Sequence, residues 1–197
     1  MMSLVGRRFR RCMVRCMDDR RRRFELQVLP HLDAAYRFAR WLAHSPHDAD
    51  DAVQDAILRA YRGFDALRGT DAKTWLLTIV RNCHSTAVRQ RQRRAFAPLP
   101  EEHDPQDGHT LIAATPNPED ALIHRDEQRT LQRLMANLPD DYREVLVLRE
   151  IEDMHYREIA MVMNVPIGTV MSRLARARAA LKKHWLRHIE EESHAVP

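Results

Sequence analysis

Glycine is scarce, with five in 197 residues. Hairpin-rich proteins place glycine at their turns, and alternating runs of β-branched residues are equally rare here, so an all-α fold is expected. The three cysteines, Cys12, Cys16 and Cys83, are an odd and sparse set. They suit a reducing cytoplasm better than a disulfide framework. Neither Cys12 nor Cys16 has a companion Cys or His pair at zinc-finger spacing, so no metal site is expected. No apolar run reaches the roughly 18 residues of a membrane span, and the Arg-rich start lacks the apolar core of a signal peptide. Phosphate-binding loops, dinucleotide glycine patterns and a Ser-His-Asp order are also missing. That points away from an enzyme and from any cofactor.

Charge is plentiful and unevenly placed. The net value is +4, but residues 1–23 hold nine arginines against Asp18 and Asp19, and residues 95–129 hold eight acids against Arg125 and Arg129. The first block reads as a basic, disordered extension, and Met17 reads as a native start that leaves residues 1–16 with little functional weight. The second block carries Pro98, Pro100, Pro105, Pro116 and Pro118 and reads as a linker. Such a chain spans ~25–30 Å on average and up to ~80 Å when drawn out. Two helical modules flank it, at 24–94 and 130–190.

In the second module a short amphipathic helix (Tyr156, Ile159, Ala160, Val162, Met163) meets a longer basic one at Asn164-Val165-Pro166-Ile167-Gly168. Asn tolerates the left-handed backbone of a tight inter-helix turn, and Pro suits a first helical turn. Val170, Leu174, Ala177 and Leu181 recur as one apolar stripe. Arg173, Arg176, Arg178, Lys182, Lys183 and Arg187 surround it, with no acid between Pro166 and Ile189. A cationic helix on an apolar support is what reading a DNA major groove requires. His155 precedes the first helix, where it caps poorly and is expected to cost about 1 kcal/mol.

In the first module, helices are expected from near Pro30 to Ala43, from Ser45-Pro46 onward, and after a turn at Arg68-Gly69-Thr70-Asp71, where Thr70 or Asp71 caps. Val53, Ala56, Ile57, Ala60 and Phe64 face the core, as does Trp75 among Leu76, Leu77 and Ile79. Asp48, Asp50, Asp51 and Asp55 offer a helix-end charge cluster that a magnesium site would need to complete from a facing helix. No second acidic motif supplies that.

Tyr156-Arg-Glu-Ile-Ala followed by Pro166-Ile-Gly-Thr-Val-Met-Ser-Arg-Leu-Ala-Arg-Ala-Arg resembles region 4 of bacterial RNA polymerase sigma factors of the stress-responsive extracytoplasmic-function type, and Leu138-Pro-Asp-Asp-Tyr-Arg-Glu-Val-Leu146 is similar to the helix before it. Asp48-Ala-Asp-Asp-Ala-Val-Gln-Asp-Ala-Ile-Leu-Arg-Ala-Tyr and Trp75-Leu-Leu-Thr-Ile-Val-Arg-Asn82 resemble region 2. The resemblance implies core-polymerase binding through Asp48, Asp51, Gln54, Asp55 and Leu58. It implies minus-ten recognition and melting through Arg68, Gly69, Thr70, Asp71, Lys73, Arg81, Asn82 and Arg89. It places Arg157, Thr169, Met171, Ser172, Arg173, Ala175, Arg176 and Arg178 at the minus-thirty-five element, with Arg176 best suited to a bidentate guanine contact and Arg157 and Arg178 to phosphates. Where many relatives carry an apolar residue and Asp after the Arg-Asn pair, this chain has Ser85 and Thr86, which affects minus-ten preference. Partners implied are core RNA polymerase, promoter DNA and an anti-sigma factor. Two rival readings are a self-sufficient DNA-binding regulator, which leaves the first module unemployed, and a helical metal-dependent enzyme.

Overall fold

A computed structural model describes residues 19–43, 45–67, 71–95 and 129–194. The Cys12/Cys16 pair, the loop residues Arg68, Gly69 and Thr70, and residues 96–128 of the connector lie outside the described residues. All regular elements among the described residues are helical. They are α1 (19–27), α2 (Leu32–Leu42, entered through a 3-10 turn at Leu29–His31), α3 (Pro46–Gly63), α4 (Ala72–Ala95), α5 (129–136), α6 (Asp140–Leu146), α7 (Tyr156–Met163) and α8 (Ile167–His194).

Each start has a local cause. Ser45 Oγ accepts the Asp48 N–H at 3.2 Å and Pro46 occupies the first turn, which opens α3. Asp71 caps α4: its Oδ2 accepts the Thr74 N–H at 3.0 Å. At α7 the Glu158 carboxylate accepts the His155 N–H at 2.6 Å. One half of a capping box therefore closes a helix whose cap residue is a weak one. Asn164 sits at φ 52°, ψ 51°, as the α7–α8 turn demands. A second left-handed residue, Asp153 at φ 49°, escapes sequence inspection.

Residues 19–23, expected in a disordered extension, are helical and belong to α1. Phe24 and Val28 are buried, and the Phe24 ring meets Tyr61 and Phe64 edge-on at 5.2 and 5.4 Å between centroids. Arg20 lies over the Tyr61 ring and donates to the Tyr61 carbonyl at 2.7 Å. Arginine at 20 is thus structural packing at the end of α3.

Alanine supplies most of the buried face of α3 (Ala49, Ala52, Ala56, Ala60). Small side chains let helices approach closely, and α2 and α4 both pack there. Arg91 near the end of α4 grips Asp48 in a two-pronged ion pair, fastening the far end of α4 to the start of α3. Trp75 is half-buried against the core, as its apolar neighbours predict.

The second module is built around α8. Val170, Leu174 and Ala177 of the expected stripe are buried, and Leu181 packs partly against them. Arg143 is nearly buried, which is unusual for an arginine, and donates to the carbonyls of Met135, Ala136 and Leu138, each at 3.1 Å. These carbonyls lie at and just past the end of α5, where helical partners run out; the Met135 carbonyl also accepts the Leu138 N–H at 3.1 Å. Helix α6 then widens into a π turn at Val147–Ile151 before the chain reaches Glu152.

A tether between independent bundles does not anticipate that the modules pack together. Helix α4 lies on α7, and α2 lies on α6 and the π turn. The buried residues of both modules form one continuous cluster.

Replacing Arg143 by Ala strands buried carbonyls and is expected to cost about 2–4 kcal/mol, read as a lowered urea midpoint. Arg91 holds the Asp48 carboxyl below its usual range through that bond. The resulting stabilisation is present above the unfolded carboxylate pKa and fades as pH falls through the folded value. Arg91→Ala should therefore be less stable than the parent at neutral pH, with the two thermal melting curves converging below pH ~4.

Candidate nucleic-acid interface

Helix α8, the candidate DNA-reading helix, presents a clear outer face. Met171, Ser172, Ala175 and Arg176 are exposed, while Thr169 and Arg173 are half-buried at its margins. Met171 keeps 54% of its surface accessible, a large apolar side chain suited to a thymine methyl. Ser172 Oγ donates to the Thr169 carbonyl at 3.0 Å, leaving its lone pairs outward. Arg157 on α7 is exposed beside Met161 and Ile167, lining a shallow concavity at the helix–helix turn. Neither Arg157 nor Arg176 makes an ion pair among the described residues.

The flanking arginines differ. Arg173 Nη2 meets Asp141 at 2.8 Å, and Arg178 meets Glu150 through Nη2 at 2.6 Å and Nε at 3.0 Å. These pairs tie α8 to α6 and the π turn, so Arg173 and Arg178 brace the reading helix and reach phosphate only by exchanging partners. Arg149 adds a further brace: it donates to the Met154 carbonyl at 2.8 Å and lies over the Tyr156 ring at 5.5 Å.

The polymerase-facing candidates separate into two groups. Asp51, Gln54, Asp55 and Leu58 are all exposed on one face of α3, with Leu58 at 55%. His47 and Arg59 lie near Asp51 and Asp55 at 3.7 and 3.8 Å, within reach of easy displacement at the surface. Asp48 does not share that face; its carboxylate turns to Arg91 and retains 13% exposure. Among the described residues no group of three His, Cys, Asp or Glu side chains converges as a metal would require.

The minus-ten candidates are dispersed. Asp71 is committed to capping α4, while Asn82 and Arg89 are exposed further along it. Lys73 and Arg81 are not open to solvent in the same way. Lys73 Nζ reaches the Glu152 carboxylate at 2.9 Å and its backbone carbonyl at 2.7 Å. The same carboxylate takes Arg37 Nε at 2.9 Å and Nη2 at 3.2 Å, and its side chain has no exposed surface. Arg81 Nε donates to Glu144 Oε2 at 2.8 Å. Burial pushes the Glu144 carboxyl above its usual range, and the Arg81 bond offsets only part of that.

Sequence reasoning missed Arg37, Glu144 and Glu152. Their partners lie 63 to 115 residues away, beyond any local pattern. The sequence signal is weak: Glu152 stands four residues beyond the apolar run Val145–Leu148, just ahead of the positive-φ residue Asp153.

Comparison with known proteins agrees with this geometry. Residues 28–94 match the Sigma-70 region 2 family and residues 128–181 match Sigma-70, region 4. The chain is 33% identical over 171 residues to the ECF RNA polymerase sigma factor SigE of Mycolicibacterium smegmatis, covering 86% of this chain and 64% of that protein. It is 33% identical over 166 residues to the RNA polymerase sigma-H factor of Pseudomonas aeruginosa, covering 83% and 86%. Against the ECF RNA polymerase sigma-E factor of Escherichia coli K12 the identity is 36% over 138 residues, covering 68% and 72%. Among solved structures it is similar to the sigma factor RpoE in complex with the anti-sigma factor NepR from Bartonella quintana, at a TM-score of 0.67 and 25% identity, covering 82% of this chain and 96% of that one. Two region matches in order, an exposed cationic reading helix and an acidic–apolar α3 face thus converge: the chain belongs to the sigma-70 family, among the sigma factors of extracytoplasmic-function type.

Proposed function

We propose that this chain is a promoter-specificity factor: it binds core RNA polymerase, directs it to promoters and has no catalytic step of its own. The observation that carries this reading is the coexistence, in one chain, of two surfaces with different jobs. The exposed face of α8 (Met171, Ser172, Ala175, Arg176) suits base edges in a major groove. The exposed face of α3 (Asp51, Gln54, Asp55, Leu58) suits a basic protein partner, since charge steers the encounter and an apolar centre supplies burial. A self-sufficient regulator has use for the first surface only.

On this reading α8 recognises the minus-thirty-five element, with Arg176 the base-reading arginine and Arg157 the nearest phosphate anchor. Helix α4, with Lys73, Arg81, Asn82 and Arg89, and the loop Arg68–Asp71 engage the melted minus-ten strand. Extracting a base from the duplex costs a few kcal/mol, which stacking and phosphate pairing recover. The factor works in the cytoplasm, where polymerase and promoters are. An anti-sigma factor is a fitting regulator, because the solved relative RpoE is bound to one.

The decisive measurement is run-off transcription with purified core polymerase on a library of promoters. The chain should convert an inactive core into one that starts at defined sites; a core as silent with the chain as without it would sink the reading. Arg176→Ala should lose about tenfold or more in selectivity at one minus-thirty-five position. Asp51→Lys combined with Leu58→Ala should weaken core binding about tenfold, with affinity for isolated minus-thirty-five duplex unchanged.

A further inference from the structure

The methionines among the described residues divide sharply by depth. Met135, Met154 and Met163 keep 4%, 3% and 2% of their surface accessible, whereas Met161 keeps 51% and Met171 54%. Both exposed ones belong to the helix-turn-helix. Met161 lines the shallow concavity at the α7–α8 turn with Arg157 and Ile167, and Met171 stands one helical turn beyond Ile167 on the outer face of α8. Little covers the Met171 thioether. Its neighbours along the helix surface lie three and four residues away. A Cβ added at Gly168, on the preceding turn, would meet no atom within 4 Å, and the following turn offers Ala175, small and exposed. A thioether needs no deprotonation to attack a peroxide, so exposure sets its susceptibility. A thiol must first become a thiolate, and burial pushes the Cys83 thiol above its usual range. Among the described residues, the sulfurs open to an oxidant are therefore the two on the reading head.

We propose that Met171, with Met161 beside the turn, is a reversible oxidation site: a hydroperoxide converts the thioether to the sulfoxide and so releases α8 from minus-thirty-five duplex. The inference rests on the promoter-specificity reading above. In the step, a sulfur lone pair attacks the terminal peroxide oxygen, the S–O bond forms and the O–O bond breaks. The proton of the transferred oxygen passes to the departing one, which leaves as water or an alcohol. Sulfur is oxidised by two electrons and the peroxide is reduced by two. The product places a strongly polar, chiral S–O group where an apolar side chain stood. A thioether against a thymine methyl or a deoxyribose needs no partner. The sulfoxide oxygen, pressed into the same contact, loses its water and finds no donor there. Because it only accepts hydrogen bonds, it also gains nothing from phosphates or from the acceptor edges of guanine and thymine. The α3 face proposed for polymerase, Asp51, Gln54, Asp55 and Leu58, holds no sulfur. The oxidised chain therefore still occupies polymerase while failing at the upstream element.

The test treats the full chain with dilute hydrogen peroxide, quenches with catalase and adds dithiothreitol, which reverses cysteine sulfenates and disulfides but not methionine sulfoxide. Peptide mass mapping should find one added oxygen at Met161 and at Met171 while Met135, Met154 and Met163 stay unmodified. By fluorescence anisotropy, affinity for a minus-thirty-five duplex should fall about tenfold, with core-polymerase affinity unchanged within about twofold. Methionine sulfoxide reductases should restore duplex binding. Met161→Leu/Met171→Leu, judged against its own untreated affinity, should show no comparable loss on peroxide. Unchanged duplex affinity in parent fully oxidised at both positions would overturn the proposal, as would an equal loss in the leucine variant. Run-off transcription by the untreated parent keeps the two readings apart. If the parent supports initiation and oxidation leaves its duplex affinity alone, only the oxidation site fails; an untreated parent that neither binds duplex nor initiates removes the reading beneath it.

Discussion

The arrangement of the two modules turns on one carboxylate with nowhere else to go. Glu152 has no side-chain surface in contact with water, and an unpaired charge in such a place is not tolerated. Its partners, Arg37 and Lys73, come from α2 and α4 of the first module. The position of α7 over α4, and of the π turn over α2, is bound up with satisfying that one group. The apolar residues around it provide the burial, but they are permissive about angle and register. A fork of hydrogen bonds at 2.9 and 3.2 Å is not.

The π turn at Val147–Ile151 belongs to the same logic. Inserting an extra residue into a helical turn shifts everything beyond it around the axis. Val147 and Leu148 stay buried while Glu150 emerges to meet Arg178, and Glu152 turns inward. The left-handed Asp153 then redirects the chain into α7. One short stretch thus serves the core, the brace on α8 and the inter-module contact.

Much of this was legible in the chain. The scarcity of glycine, the stripe Val170–Leu174–Ala177, the left-handed Asn164 and the Ser45-Pro46 helix start follow from rules that act within a few residues, and each appears as expected. Asp51, Asp55 and Leu58 could be read as one face of α3 because helical periodicity is local, while the outer residues of α8 were legible through the family resemblance. What stayed hidden depends on distance along the chain. Arg20 looks like part of a basic tail until Tyr61 is brought beside it. Arg143 looks like a surface charge until α5 ends on it. Asp48 reads as a helix-end acid on the partner-facing side, and only the return of α4 reveals that Arg91 claims it.

The braces on α8 also bear on how firmly the chain holds DNA as salt varies. Counting arginines around the reading helix suggests that many condensed counterions leave the duplex on binding. Yet a phosphate that takes Arg178 from Glu150, or Arg173 from Asp141, leaves behind a bare carboxylate that recruits a cation of its own. Such an exchange releases little net salt, whereas a cation without such a brace among the described residues, as Arg157 and Arg176 are, would contribute in full. Attachment to a duplex through this helix would consequently be less sensitive to ionic strength than its formal charge implies.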